Sequence, residues 1–204
     1  MTGQAVMLSI RPKWCALIAS GQKTVEIRRN RPKLETPFKV YIYCSIGKVG
    51  DSRELLETHG QDGKIRKCNG HVFAEFLCDE ILPLDVPYPA YMSEINQDIL
   101  DAACLSYSDV HRYGGSGKRL YGWHISDLVI YEKPRTLGEF LRWQNPGEDL
   151  LPCHNRKLCE NAIYDFERNE ESCAYDYDSK TCPYLFLSRP PQSWYYVDWE
   201  RSHG

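Results

Sequence analysis

Lys23, Glu26 and Arg28 fall within one short run of this 204-residue chain. Glu26 and Arg28 are two apart, so an extended backbone projects them from one face, and Lys23 enters from the turn before it. A carboxylate between a lysine and an arginine stays ionised and orients both. Such a rim suits a phosphate or a polar base edge: arginine donates two parallel bonds, lysine acts as a point charge, and glutamate accepts from an exocyclic amine. Arg11 and Lys13 add positive charge just upstream. The plain alternative is a surface ion network that contributes little.

The formal net charge is −3, so the molecule as a whole does not attract nucleic acid. The average hides an asymmetry. From Arg11 to Lys33 the charges are Arg11, Lys13, Lys23, Arg28, Arg29, Arg31 and Lys33, with Glu26 the only acid. From Glu148 to Asp178 acids dominate. One basic end is enough for a local anion-binding face, and two solvated faces are the bland reading.

Three further groups carry chemistry. Glu75 lies between Phe73 and Leu77, where desolvation would suit it to acid–base work; a structural ion pair or an outward strand position serves equally. Trp123, Tyr121 and Tyr43 offer π-faces on which a base stacks, although a lone tryptophan is more often core. Cys153, Cys159, Cys173 and Cys182 gather four of nine cysteines into a polar, weakly periodic segment. Four thiolates would hold a structural zinc tetrahedrally; scattered free thiols are the alternative, and no Cys-x2-Cys knuckle is present.

The elements that must position these groups are short. Val6 to Ile10 reads as a strand. Pro12 stands at the natural first position of a helix whose apolar stripe is Trp14, Leu17 and Ile18, and Gly21 sits at its C-terminal end. Thr24 to Arg28 alternates as a half-buried strand, and the proline-bearing stretch to Pro37 reads as a loop. In Phe38 to Cys44, one face is Phe38, Val40, Ile42 and Cys44, and the other carries Tyr41 and Tyr43. His71 to Leu82 reads as one central strand. Asp51 to Thr58 and Ser93 to Cys104 read as helices, and the glycines before Lys118 as a flexible loop. Leu120 to Ile125, Asp127 to Tyr131 and the tail from Ser193 read as strands, with Thr136 capping a short helix.

The stretch VMLSIRPKWCALIASGQKTVEIRRNRP resembles the ASCH family of PUA-like barrels, whose hallmark Gly-x-Lys-x-x-Glu-x-Arg stands here as Gly21, Lys23, Glu26 and Arg28. The resemblance spans roughly residues 5 to 140 and the last ten or so. LYGWHISDLVIYEKP and RPPQSWYYV look like versions encoded by bacteriophages and prophages. Some ASCH proteins resemble amidohydrolases of acylated cytidines, and others have been proposed to cut RNA. For a hydrolase the resemblance implies Lys23 as the activating lysine and Glu75 as the strand glutamate. Glu26, however, stands where the threonine nucleophile belongs, and Thr24 lies ~6.5 Å away along the strand. The motif therefore points toward recognition.

The expectation is an α+β chain. A small PUA-like β-barrel with an early helix between its first two strands takes residues 5–143 with 193–199, and a cysteine-rich segment, 145–190, is inserted before the last strand. Its cleft, walled by the early helix, is expected to take RNA, single-stranded DNA or a nucleotide-like ligand, with a protein partner as a further reading. No run approaches the ~18–20 apolar residues of a spanning helix and no leader pattern opens the chain, so a cytoplasmic place is expected.

Overall fold

A computed structural model describes residues 3–46, 56–59, 62–87, 96–142, 162–165, 170–173 and 187–198. In chain order the strands are β1 (Gln4–Ile10), β2 (Val25–Arg28), β3 (Phe38–Cys44), β4 (Glu57–His59), β5 (Ile65–Lys67), β6 (His71–Cys78), β7 (Ile81–Asp85), β8 (Arg119–His124), β9 (Ser126–Arg135), β10 (Leu141–Arg142), β11 (Ala162–Asp165), β12 (Glu170–Cys173) and β13 (Trp194–Asp198). The helices are α1 (Pro12–Ala19), α2 (Gln97–Ala102) and α3 (Tyr107–Gly114).

Two sheets matter for the site. One has six strands in the order β10-β13-β1-β3-β6-β9, the other three in the order β2-β8-β7. The expected barrel is not closed: among the described residues each sheet keeps its own two edges. The chain passes between sheets at tight corners, and the expected single strand from His71 to Leu82 breaks at one of them. There Glu80 leaves the ladder, its carbonyl accepting the His124 backbone N–H and the Cys78 thiol, and β7 joins the smaller sheet.

β1 lies centrally, antiparallel to β13 and parallel to β3. A parallel partner needs a crossover, and α1 with β2 supplies it. The six-stranded sheet is apolar on both faces. Val6, Leu8, Ile10, Val40, Ile42, Phe76 and Trp123 belong to the core between the two sheets. Ala5, Met7, Tyr41, Tyr43, Val72 and Phe140 form a second core on the far face. A bulge where β6 passes Phe73 puts Phe73 and Ala74 together in the inter-sheet core, while Val72 goes to the far face. A third cluster, with Val25, Ile27, Leu84, Leu100 and Val110, packs α2 and α3 on the outer face of the smaller sheet.

α1 turns differently from the expected stripe. Pro12, Cys15 and Ile18 are its buried residues, and Trp14 and Leu17 are only half-buried. The small Cys15 lets the helix lie close to β1, its thiol reaching the Ile10 carbonyl at 3.6 Å. Gly21 at φ 74° ends the helix in the left-handed region. α3 occupies part of what reads as a glycine loop. Ser106 and Asp109 form a reciprocal capping box at its start. The expected helix over Asp51 to Thr58 falls partly outside the described residues, and its end is β4. Thr136 does cap a helical turn, but one of three residues, Leu137–Glu139, followed by β10. No helix among the described residues is long and apolar enough to cross a membrane.

Candidate nucleic-acid interface

Lys23, Glu26 and Arg28 come together, but not as an exposed rim. Their exposures are 2%, 7% and 8%. Lys23 turns inward because two backbone carbonyls wait for it: Nζ donates to Val25 O at 2.8 Å and to Ala103 O, 80 residues away in sequence, at 2.7 Å. It also pairs with Glu26 Oε2 at 3.3 Å, and Glu26 Oε1 lies 3.1 Å from Arg28 Nη2. The same Nη2 donates to Ser9 O at 2.8 Å. The Ser9 N–H in turn donates to Ser193 O, so the guanidinium stands at the seam where β1 ends and β13 begins.

Register explains the placement. Glu26 is directly opposite Trp123, and Arg28 opposite Tyr121, in the β2–β8 pair. These four share the face turned toward the larger sheet, while Val25 and Ile27 face the third core cluster. Two donors on that face have no acceptor among the described residues: Arg28 Nε and Trp123 Nε1 are both buried and unbonded. A buried donor left unmet costs about 1–3 kcal/mol. The buried trio also carries two formal positive charges against one negative, which favours an acceptor-rich or anionic occupant.

Half-buried aromatic rings surround this point. Trp194 and Tyr196 of β13 face the inter-sheet core together with Trp14 and Tyr121. The Trp123 ring lies 5.7 Å from Phe38 and 6.0 Å from Trp194, and Trp194 lies 5.4 Å from Tyr196. The Tyr196 hydroxyl accepts the Lys33 backbone N–H, tying the basic loop after β2 to this aromatic edge. Lys23 and Lys13 lie over Trp14 at 5.3 and 4.9 Å. Arg11 and Lys13 are exposed at the start of α1, which has neither a side-chain cap nor an acid in its first turn.

The other expected site residues lie elsewhere. Trp123 is fully buried and Tyr43 is 3% exposed in the far core, so neither presents a free face for stacking. Burial pushes the Tyr43 hydroxyl up. Lys23 and Glu75 do not converge. Glu75 stands opposite Tyr41 on the far face of the larger sheet, where its carboxylate accepts from Lys39 at 2.6 Å and from Tyr131 at 2.5 Å. Burial and then this carboxylate push both Tyr41 and Tyr131 well above the ordinary tyrosine range. Thr24 is exposed and precedes β2, bonded by its backbone to Ala102 and Ile125. The zinc expectation falls outside the described residues: of Cys153, Cys159, Cys173 and Cys182, only the backbone of Cys173, in β12, is described. No group of three or more His, Cys, Asp or Glu able to hold a metal occurs among the described residues.

Residues 8–77, which include all three members of the buried trio, match the model of the ASCH domain family. That stretch, about a third of the chain, is similar to an ASCH domain. This is a PUA-like family associated with RNA and nucleic-acid binding. No curated protein matches the sequence. Among solved structures, the chain is similar to the ASCH protein of Zymomonas mobilis, at 16% identity over 97% of this chain and 90% of that one, with a TM-score of 0.46. A mutant form of that protein aligns at 18% identity over 65% of this chain and 76% of its own, with a TM-score of 0.44. Likeness of that degree fixes neither ligand nor chemistry. Tyr121, Trp123, Trp194 and Tyr196 lie beyond the matched ASCH segment, so most of the aromatic wall comes from later in the chain.

Proposed function

We propose that this chain binds RNA, seating a base or phosphate oxygen between the two sheets at Arg28 Nε and Trp123 Nε1. The observation that carries the reading is the pair of buried donors without an acceptor, on one strand-pair face beside a trio of net positive charge. Arg28 is held at its head by Ser9 and Glu26, so its remaining donor is pre-organised rather than searching. The half-buried Trp14, Tyr121 and Trp194 supply apolar walls, and the exposed Arg11, Lys13, Arg31 and Lys33 supply phosphate contacts at the mouth.

The hydrolase reading loses its pair of Lys23 and Glu75, and Lys23 is already committed to two carbonyls. Recognition requires neither a mobile lysine nor a second carboxylate.

The test is a fluorescence titration of labelled RNA oligomers with the wild-type chain and with Arg28→Gln. Loss of a hydrogen bond to a charged donor predicts binding weaker by roughly tenfold or more, with wild-type affinity falling as salt rises. The RNA is expected to be recovered at full length. Wild-type affinity in Arg28→Gln would remove the site, and shortened RNA would restore the hydrolase.

A further inference from the structure

We infer that the RNA is single-stranded and that it runs from the Arg28 mouth onto a second station formed by Arg29 and Tyr113 at the end of α3. This rests on the reading of the Arg28 mouth as the RNA site and adds to it a segment outside the matched family region, since α3 is Tyr107–Gly114.

The station is built from consecutive use of two arginines. Arg28 turns between the sheets; Arg29 turns to α3, where its Nε donates to the Tyr113 carbonyl at 3.0 Å with Nη2 bonding the same oxygen. The guanidinium lies 5.0 Å over the Tyr113 ring. Both side chains are exposed, Tyr113 at 37%.

What distinguishes Arg29 is its partner. Arg66, Arg119 and Arg135 each meet a carboxylate, from Asp62, Asp85 and Glu139, at 2.7–3.0 Å. Among the described residues Arg29 meets only a neutral carbonyl and an aromatic ring. Its head is therefore fixed in place with no carboxylate against it among the described residues, and a guanidinium has five N–H groups, of which this carbonyl takes two. A cation immobilised at full charge has already lost the side-chain entropy that phosphate binding would cost.

Two more basic groups act near the start of α3. Arg112, on α3, and Lys13, at the start of α1, both act electrostatically on Asp109 and help hold its carboxyl below the ordinary range, after its larger bonds to Ser106. The Asp109 carboxylate is engaged in the Ser106 cap.

The single-stranded class follows from the two stations together. Donors buried between sheets cannot reach bases that remain paired and stacked. The exposed Tyr113 ring, polarised by Arg29, offers a platform to an unstacked base. Recognition of a duplex would rest on phosphates and 2′-hydroxyls and would gain nothing from the ring.

The experiment compares a labelled single-stranded RNA oligomer with a duplex of the same sequence, using wild type, Tyr113→Ala, Arg29→Gln and Arg28→Gln. Tyr113→Ala removes the ring but keeps the carbonyl that anchors Arg29, so it isolates stacking. It is expected to weaken single-strand binding by roughly 5- to 150-fold. Arg29→Gln is expected to lower the slope of log affinity on log salt by about 0.7. Tyr113→Ala should leave the weaker duplex binding unchanged, because a duplex gains nothing from the ring. Equal wild-type affinity for duplex and single strand would overturn the inference. So would wild-type single-strand binding by both Tyr113→Ala and Arg29→Gln; if Arg28→Gln still loses binding in that case, the mouth stands and only the station falls. Weakened binding in Tyr113→Ala with none in Arg28→Gln would keep the station and remove the mouth.

Discussion

At the scale of single residues, the site is a problem of unpaid desolvation. Among the described residues Glu26 is the buried acid that holds Lys23 and Arg28 together, at 3.3 and 3.1 Å. Removing its charge leaves two buried cations facing each other with only carbonyls for company. Breaking a buried ion pair from one side destabilises by about 3–5 kcal/mol. Glu26→Gln is therefore expected to lose stability on that scale in denaturant unfolding, and a loss under 1 kcal/mol would mean the trio is far better hydrated than its exposure indicates. Their residue types were legible in the sequence; their burial was not. The Ala103 carbonyl that draws Lys23 inward comes from a distant helix end, and no local pattern announces it. Trp123 was legible as a tryptophan on a strand with a core alternative, and the core side of that choice holds, yet its unbonded N–H keeps it in the chemistry.

Element scale explains which predictions of local structure hold. β1, β3 and β13 follow their alternation because each has apolar residues on both faces and a neighbour to satisfy its backbone. β6 departs at Phe73, where a bulge shifts the pattern by one residue, and bulges leave no mark in composition. α3 was hidden by the glycines that follow it, although Ser106 and Asp109 stood at capping-box spacing. That box makes a pH prediction. Bonds from the Ser106 hydroxyl and backbone N–H hold the Asp109 carboxyl below its ordinary value. A lowered carboxyl stabilises the fold fully above roughly pH 4 and loses that contribution as pH falls through the depressed value. The melting temperature of Asp109→Asn should thus lie below wild type at neutral pH and approach it as pH falls below the ordinary aspartate range, whereas a gap independent of pH would assign the effect to something other than the carboxylate charge.

For the whole molecule, the expected barrel and the observed sheets differ in how they place Lys23, Glu26 and Arg28. A closed barrel would leave only a rim for Lys23, Glu26 and Arg28. Two sheets with separate edges leave a seam, and at that seam β1, β2, β8 and β13 bring together residues from Ser9 to Tyr196. The chain as a whole carries −3, so any attraction for RNA must come from the basic run between Arg11 and Lys33. The central claim is that an acceptor on RNA enters this seam and takes the two unmet donors. The most direct measurement is the indole N–H resonance of Trp123 in a nitrogen–proton NMR spectrum, assigned by its loss in Trp123→Phe. Titration with RNA is expected to move that resonance downfield in step with binding. A Trp123 resonance that stays fixed while the RNA binds would contradict the account.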